Sequence, residues 1–115
     1  YRMLLPDAGT SVRAAADQFF VSAGIGTPEN AIQSIDVNFC RSYTLSCNAI
    51  WCTPVGVVEL DLKKGLFVAL PIDTPLTRGP VGLTLRAEPP SSDALVRLVE
   101  QIREAAREYS ATHPA

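Results

Sequence analysis

The chain has 115 residues, 47% hydrophobic and 19% charged, with a formal net charge of −2. That length holds one domain-sized core, and the composition is that of a globular protein rather than a disordered one. The small acidic balance gives no overall pull toward nucleic acid or anionic membrane, and no apolar run approaches the roughly 18 residues of a membrane helix.

The first residues, Tyr1-Arg2-Met3-Leu4-Leu5, read as a strand, with no initiator Met and no signal-peptide pattern before them. A start inside an element points to a piece of a longer polypeptide. Pro6-Asp7-Ala8-Gly9 closes the strand, and Thr10 or Ser11 caps a helix by accepting from an orphan N–H. Val12, Ala15, Ala16, Phe19, Phe20 and Ala23 fall on one helical face, and Gly24 supplies a left-handed stop. A loop holding Gly26 and Pro28 leads to a second strand over residues 31–36. Asn38 is expected to cap a short helix over residues 38–48, and residues 49–53 form a third strand. Pro54 suits the first position of a further helix, with Val55, Val58 and Leu62 as a weak apolar stripe and Gly65 as its end.

Residues 66–70 read as a fourth strand and 81–86 as a fifth, the latter alternating at Val81, Leu83 and Leu85. Between them, residues 71–80 carry three prolines and a Gly and form a crossing loop. Pro89-Pro90-Ser91-Ser92-Asp93 announces the last helix, with Ser91 or Ser92 as cap and Asp93 in a first turn that favours a carboxylate. Leu95, Leu98, Val99, Ile102, Ala106 and Tyr109 make its apolar stripe, and residues 110–115 are expected to fray. Glu100 with Arg103 and Glu104 with Arg107 mark its solvated side. Strands alternating with helices predict a three-layer α/β fold with a mostly parallel sheet.

Enzyme motifs are missing from this frame. Gly24 and Gly26 follow a helix and lack the third glycine of a phosphate loop, and there is no Gly-x-Ser-x-Gly elbow. Asp7, Asp36, Glu59, Asp61 and Asp73 are scattered, with no spacing that pairs them for acid–base work. Three cysteines, Cys40, Cys47 and Cys52, argue against a disulfide framework. A single histidine, His113, leaves no set of zinc ligands and is a poor catalytic base at a terminus. The thiols read as buried and reduced, with a redox-reactive Cys40 at a helix amino end as the sharper alternative. Binding is favoured over chemistry, with no cofactor and no metal.

The most informative stretch is residues 34–54. A β-rich run delivers the chain to a helix start that carries a ring, a thiol and a guanidinium in sequence: Phe39, Cys40 and Arg41. Ligands of α/β proteins gather where strand carboxyl ends meet helix amino ends, so a small-anion site is expected here. Asn38, Phe39, Cys40, Arg41 and Ser42 form the expected wall, with Thr10 nearby. Arg41 can equally be a surface side chain, and Phe39 a core ring.

Taken in order, these segments resemble the carboxyl-terminal half of a LysR-type transcriptional regulator over nearly the whole chain. The resemblance rests on the strand and helix of residues 1–24 and on Ala49-Ile50-Trp51-Cys52-Thr53-Pro54-Val55-Gly56-Val57-Val58, then on Gly65-Leu66-Phe67-Val68-Ala69-Leu70-Pro71. It continues through Gly79-Pro80-Val81-Gly82-Leu83-Thr84-Leu85-Arg86 and the helix after Pro89-Pro90. Within the family, residues 34–54 and 74–84 are most similar to activators of protocatechuate-degradation (pca) operons.

The resemblance implies a periplasmic-binding-protein-like (type II) effector region of two α/β subdomains. Residues 1–75 would be subdomain II, and 76–115 the crossing loop, strand and helix that return to subdomain I. It also implies a cytoplasmic oligomer, a carboxylated muconate as effector, and contact with DNA only through an amino-terminal domain outside this chain. A hydrogen bond from Arg41 to such a carboxylate would contribute on the order of 1.5–3 kcal/mol. A transport-type solute-binding protein or an amino-acid-sensing domain of the same architecture is the alternative.

Overall fold

The computed structural model describes residues 1–79, 81–88 and 92–112. Its elements run β1 (Met3–Leu5), α1 (Ser11–Ser22), β2 (Ile32–Gln33), α2 (Val37–Cys47), β3 (Ile50–Trp51), α3 (Val55–Lys63), a 3-10 turn (Pro75–Thr77) and α4 (Asp93–Thr112). Residues 1–80 and 81–115 form two compact units.

In the first unit β1 is central, in a parallel sheet of order β2-β1-β3. Leu4 stands opposite both Ile32 and Trp51. Ser34 N–H donates to the Leu5 carbonyl at 3.0 Å, and Cys52 N–H to the Leu4 carbonyl at 2.9 Å. Side chains alternate across such a sheet. Leu5 accordingly packs with Ala16 and Phe20 of α1, backed by Met3, Phe19, Ala31 and Cys52. Leu4 points to the other face and is fully buried, as is Cys40 of α2. Each such Leu or Phe stabilises the fold by about 1.5–3 kcal/mol. The 3-10 turn lies against α1. The result is an α/β unit with a parallel sheet, as the alternating pattern predicts.

Local chemistry sets the helix ends. Thr10 Oγ1 accepts from Arg13 N–H at 3.2 Å and donates to the Asp7 carbonyl at 2.9 Å, which starts α1. At its far end Gly24 adopts φ +67°, and Ile25 N–H reaches back to the Phe20 carbonyl at 2.8 Å. Gly65 does the same for α3 at φ +70°, with Leu66 N–H on the Asp61 carbonyl at 2.9 Å. Both are left-handed stops that glycine adopts without steric cost.

Several sequence expectations need correction. The cap of α2 is Asp36, whose carboxylate accepts from Phe39 N–H at 2.8 Å, and Asn38 lies inside the helix. Asp36 is itself oriented by its N–H on Ser34 Oγ at 3.1 Å. The second and third strands are two residues each, shorter than expected, because helices α2 and α3 begin close behind them. Residues 66–70 and 81–86 are not strands. Their alternating pattern is real, but a strand exists only in a ladder, and no described neighbour pairs with either segment. Val68 is 86% exposed and Val81 fully exposed.

In the second unit, α4 runs to Thr112, so residues 110–112 are helical rather than frayed. Ser92 Oγ accepts from Leu95 N–H at 3.3 Å, which bears out Ser92 as a cap. Pro89, Pro90, Ser91 and residues 113–115 lie outside the described residues. Leu95, Leu98, Ile102 and Tyr109 of the α4 stripe are all exposed. No described helix is long and apolar enough to cross a membrane.

These caps make a direct prediction. Asp36→Ala removes the side chain that starts α2 and should destabilise the protein by about 1 kcal/mol, whereas Asn38→Ala should be nearly neutral. Urea unfolding of the two variants checks this, and equal losses would contradict the assignment of the cap.

Candidate functional site

In a parallel sheet all the strands end on one side, so the three helix starts gather beyond Leu5, Gln33 and Trp51. They differ in what they offer an anion. The amino end of α1 is occupied by Thr10 and that of α2 by the Asp36 carboxylate. The amino end of α3 has Pro54 before it and no side-chain cap, so its first N–H groups stay free of a side-chain partner.

Arg41 stands on α2, facing α3. Its Nε donates to Asp61 Oδ2 at 2.9 Å and its Nη2 to the Val57 carbonyl, in the first turn of α3, at 3.5 Å. The two side chains are unequally covered, Arg41 33% exposed and Asp61 12%. Among the described residues Asp61 is the buried charged residue, and Arg41 is its ion-pair partner. The pair bolts α2 to α3 across twenty residues of sequence. The guanidinium thus spans α3 from the Val57 carbonyl to Asp61, and the Arg41 side chain keeps a third of its surface exposed.

The neighbours of Arg41 on α2 point in different directions. Asn38 and Ser42 are exposed. Phe39 is exposed as well and tilts against Tyr43, with ring centroids 5.7 Å apart. Cys40 turns inward, 1% exposed, with its thiol 3.8 Å from the Ser34 carbonyl. Burial pushes that thiol up from its ordinary value. The Ser34 side chain works against this, while the charges of Asp36 and Asp7 add to it. A thiol held protonated in this way is a poor nucleophile, so the sequence alternative of a redox-reactive Cys40 finds no support in its surroundings. Burial pushes Cys52 up too, with Arg13 opposing.

Thr10 belongs to a separate hollow of about 420 Å³, lined also by Gly9, Ser11, Arg13, Ala14 and Asp17. There Arg13 pairs with Asp17 at 2.9 Å and donates to the Pro6 carbonyl at 3.2 Å. The link between Thr10 and α2 is the β1 exit loop. Thr10 holds the Asp7 carbonyl, and the Asp7 charge is felt at Cys40.

Two features escaped the sequence reading. The uncapped start of α3 was legible in Pro54-Val55-Gly56, which contains no capping side chain. The pairing of Arg41 with Asp61 had no local signal, because it joins different helices. Among the described residues no group of His, Cys, Asp and Glu could hold a metal ion.

The profile of the LysR substrate binding domain matches residues 1–107. The chain is 35% identical over 108 residues to the HTH-type transcriptional regulator PcaQ of Agrobacterium fabrum (strain C58), and equally to PcaQ of Rhizobium radiobacter. These alignments cover 94% of this chain and 35% of each relative. It is 27% identical over 109 residues to the HTH-type transcriptional regulator GalR of Pseudomonas putida (strain KT2440), covering 95% of this chain and 28% of that protein. The chain thus spans about a third of the length of the curated relatives it matches. No solved structure matches.

The ion pair has a measurable worth. Arg41→Ala strands a buried carboxylate and should destabilise the protein by about 1–2 kcal/mol, between the values for exposed and buried pairs. Adding Asp61→Ala should recover part of that loss. Thermal unfolding of both single variants and the double variant closes the cycle. Strictly additive losses would mean that the pair contributes no coupling.

Proposed function

Because the chain belongs to the LysR substrate-binding domain family, we propose that it is the effector-sensing part of a transcription regulator that responds to a small carboxylated anion. On this reading it is not an enzyme, and it needs no cofactor. The observation that carries the proposal is Arg41, partly exposed and in contact with the Val57 carbonyl in the first turn of α3, a helix whose start has no side-chain cap. Charge-assisted donors and a helix amino end are what a carboxylate requires.

Asn38, Phe39, Arg41 and Ser42 form the ligand-facing wall, with Cys40 packing beneath it and Thr10 flanking through the β1 exit loop. Phe39 and Tyr43 offer apolar surface to an unsaturated carbon skeleton. The resemblance of residues 34–54 and 74–84 to activators of pca operons favours a carboxylated muconate as effector and a role as activator, and the transcriptional regulators named PcaQ are among the relatives.

The architecture that goes with this is a three-layer, periplasmic-binding-protein-like subdomain over residues 1–75. Residues 76–115 are the crossing loop, strand-forming segment and helix that return to a first subdomain. The apolar positions at Val81, Leu83 and Leu85 and along α4, exposed in this chain, suit pairing and packing there. The protein as a whole acts as a cytoplasmic homo-oligomer and touches DNA through a different domain. Ligand binding then works by shifting populations between subdomain or subunit arrangements.

Arg41→Gln in the protein that carries this chain should weaken binding of a carboxylated muconate about tenfold or more, one decade being ~1.4 kcal/mol. Titration calorimetry measures it, with circular dichroism to verify the fold. A folded variant with unchanged affinity would contradict the assignment.

A further inference from the structure

We propose that Asp61 is a built-in competitor for the ligand carboxylate, so that the Arg41–Asp61 bridge is a latch between α2 and α3 that binding exchanges for a contact between Arg41 and the ligand. The inference rests on the reading of Arg41 as an anion anchor. Three observations carry it beyond that reading.

First, the bridge is a single-point contact, through Nε alone to Oδ2, where guanidinium and carboxylate can form two parallel bonds. The second guanidinium contact, to the Val57 carbonyl, is long at 3.5 Å. A latch held by one bond of full strength can be exchanged at modest cost.

Second, the pair is asymmetric. Asp61 lies behind, 9% exposed as a residue, and Arg41 lies in front, its side chain 33% exposed. An incoming anion therefore reaches the guanidinium without passing Asp61, but it arrives within a few ångströms of a carboxylate. Two like charges on one cation repel, and at a partly covered site the repulsion is screened only in part. The protein thus carries its own anion on the residue that a ligand must use.

Third, the bridge joins helices that follow different strands, α2 after β2 and α3 after β3. Drawing Arg41 off Asp61 removes a fixed contact between them. It also leaves a buried carboxylate without its cation, which favours movement of α3 until Asp61 meets solvent. The chain after α3 is tied to the same residue, since Leu66 N–H donates to the Asp61 carbonyl at 2.9 Å. Ligand occupancy is in this way converted into a shift of α3 and the segment that follows it.

The test uses the protein that carries this chain and a carboxylated muconate as probe. Asp61→Asn keeps the shape and a hydrogen-bond acceptor but removes the competing charge. It should tighten binding about three- to tenfold, the scale of a screened charge pair. Arg41→Gln weakens binding in the same assay. If Arg41→Gln weakens binding while Asp61→Asn leaves it unchanged or weakens it, Asp61 only props Arg41 and the latch is refuted, with the anchor intact. If Arg41→Gln changes nothing, the anchor fails and the latch fails with it. A measurement on the unaltered protein stands beside the variants: the carboxyl carbon resonance of Asp61 should move on titration with the probe. An Asp61 resonance that stays fixed while the probe saturates overturns the proposal.

Discussion

Strand β1 is paired on both sides, at Leu4 with Ile32 and with Trp51, and the geometry of the candidate site follows from that pairing. With β1 between β2 and β3 and all three strands parallel, the sheet has one carboxyl edge, at which α1, α2 and α3 all begin. Were the strands antiparallel, these helix starts would be divided between opposite edges. Burial enforces the arrangement. Leu4 and Leu5 have no exposed surface, one on each face, and a slip of one residue would exchange their surroundings. The shared edge is thus a consequence of a short strand whose Leu4 and Leu5 are fully covered.

Electrostatics then distinguishes three helix starts that the backbone makes equivalent. Asp36 places a fixed negative charge at the start of α2, where the helix dipole already favours one, and so takes the place that a ligand anion would occupy. Thr10 serves α1 without a charge. At α3 no side chain intervenes, and Arg41 reaches across from α2 to stand beside its first turn. Arg41 is therefore tied to α3 rather than to its own helix, and Asp61 holds it there. On the proposed reading, binding and interhelical contact depend on the same guanidinium, which would let a small ligand act on the position of a helix.

Local signals in the sequence were sufficient for the helices. Thr10, Gly24, Ser92 and Gly65 lie where caps and stops were expected, because each acts through its own backbone within a few residues. Asn38 was mistaken for a cap because it is an equally good capping type two residues after Asp36. The choice was made by Ser34, which orients Asp36. Strands were harder to read. The alternation at Val81, Leu83 and Leu85 records a two-sided environment but not the presence of a partner, and ladders are formed between distant segments. For the same reason the sequence draws attention to the α2 segment of the candidate site but not to the contacts its residues make. Phe39, Cys40 and Arg41 drew attention as residue types, yet burial of Cys40 and the partner of Arg41 depend on β1 and α3, far along the chain.

The central claim is that a carboxylated anion binds at the carboxyl edge of the sheet, between the starts of α2 and α3. Amide resonances followed by heteronuclear NMR during titration with a carboxylated muconate test it most directly. The account predicts that the largest shifts fall on Phe39 to Ser42 and on Val55 to Val57, with smaller ones at Thr10. Shifts gathered instead at Arg2, Met3 and Asn30, beside the hollow at the opposite edge of the sheet, would contradict it.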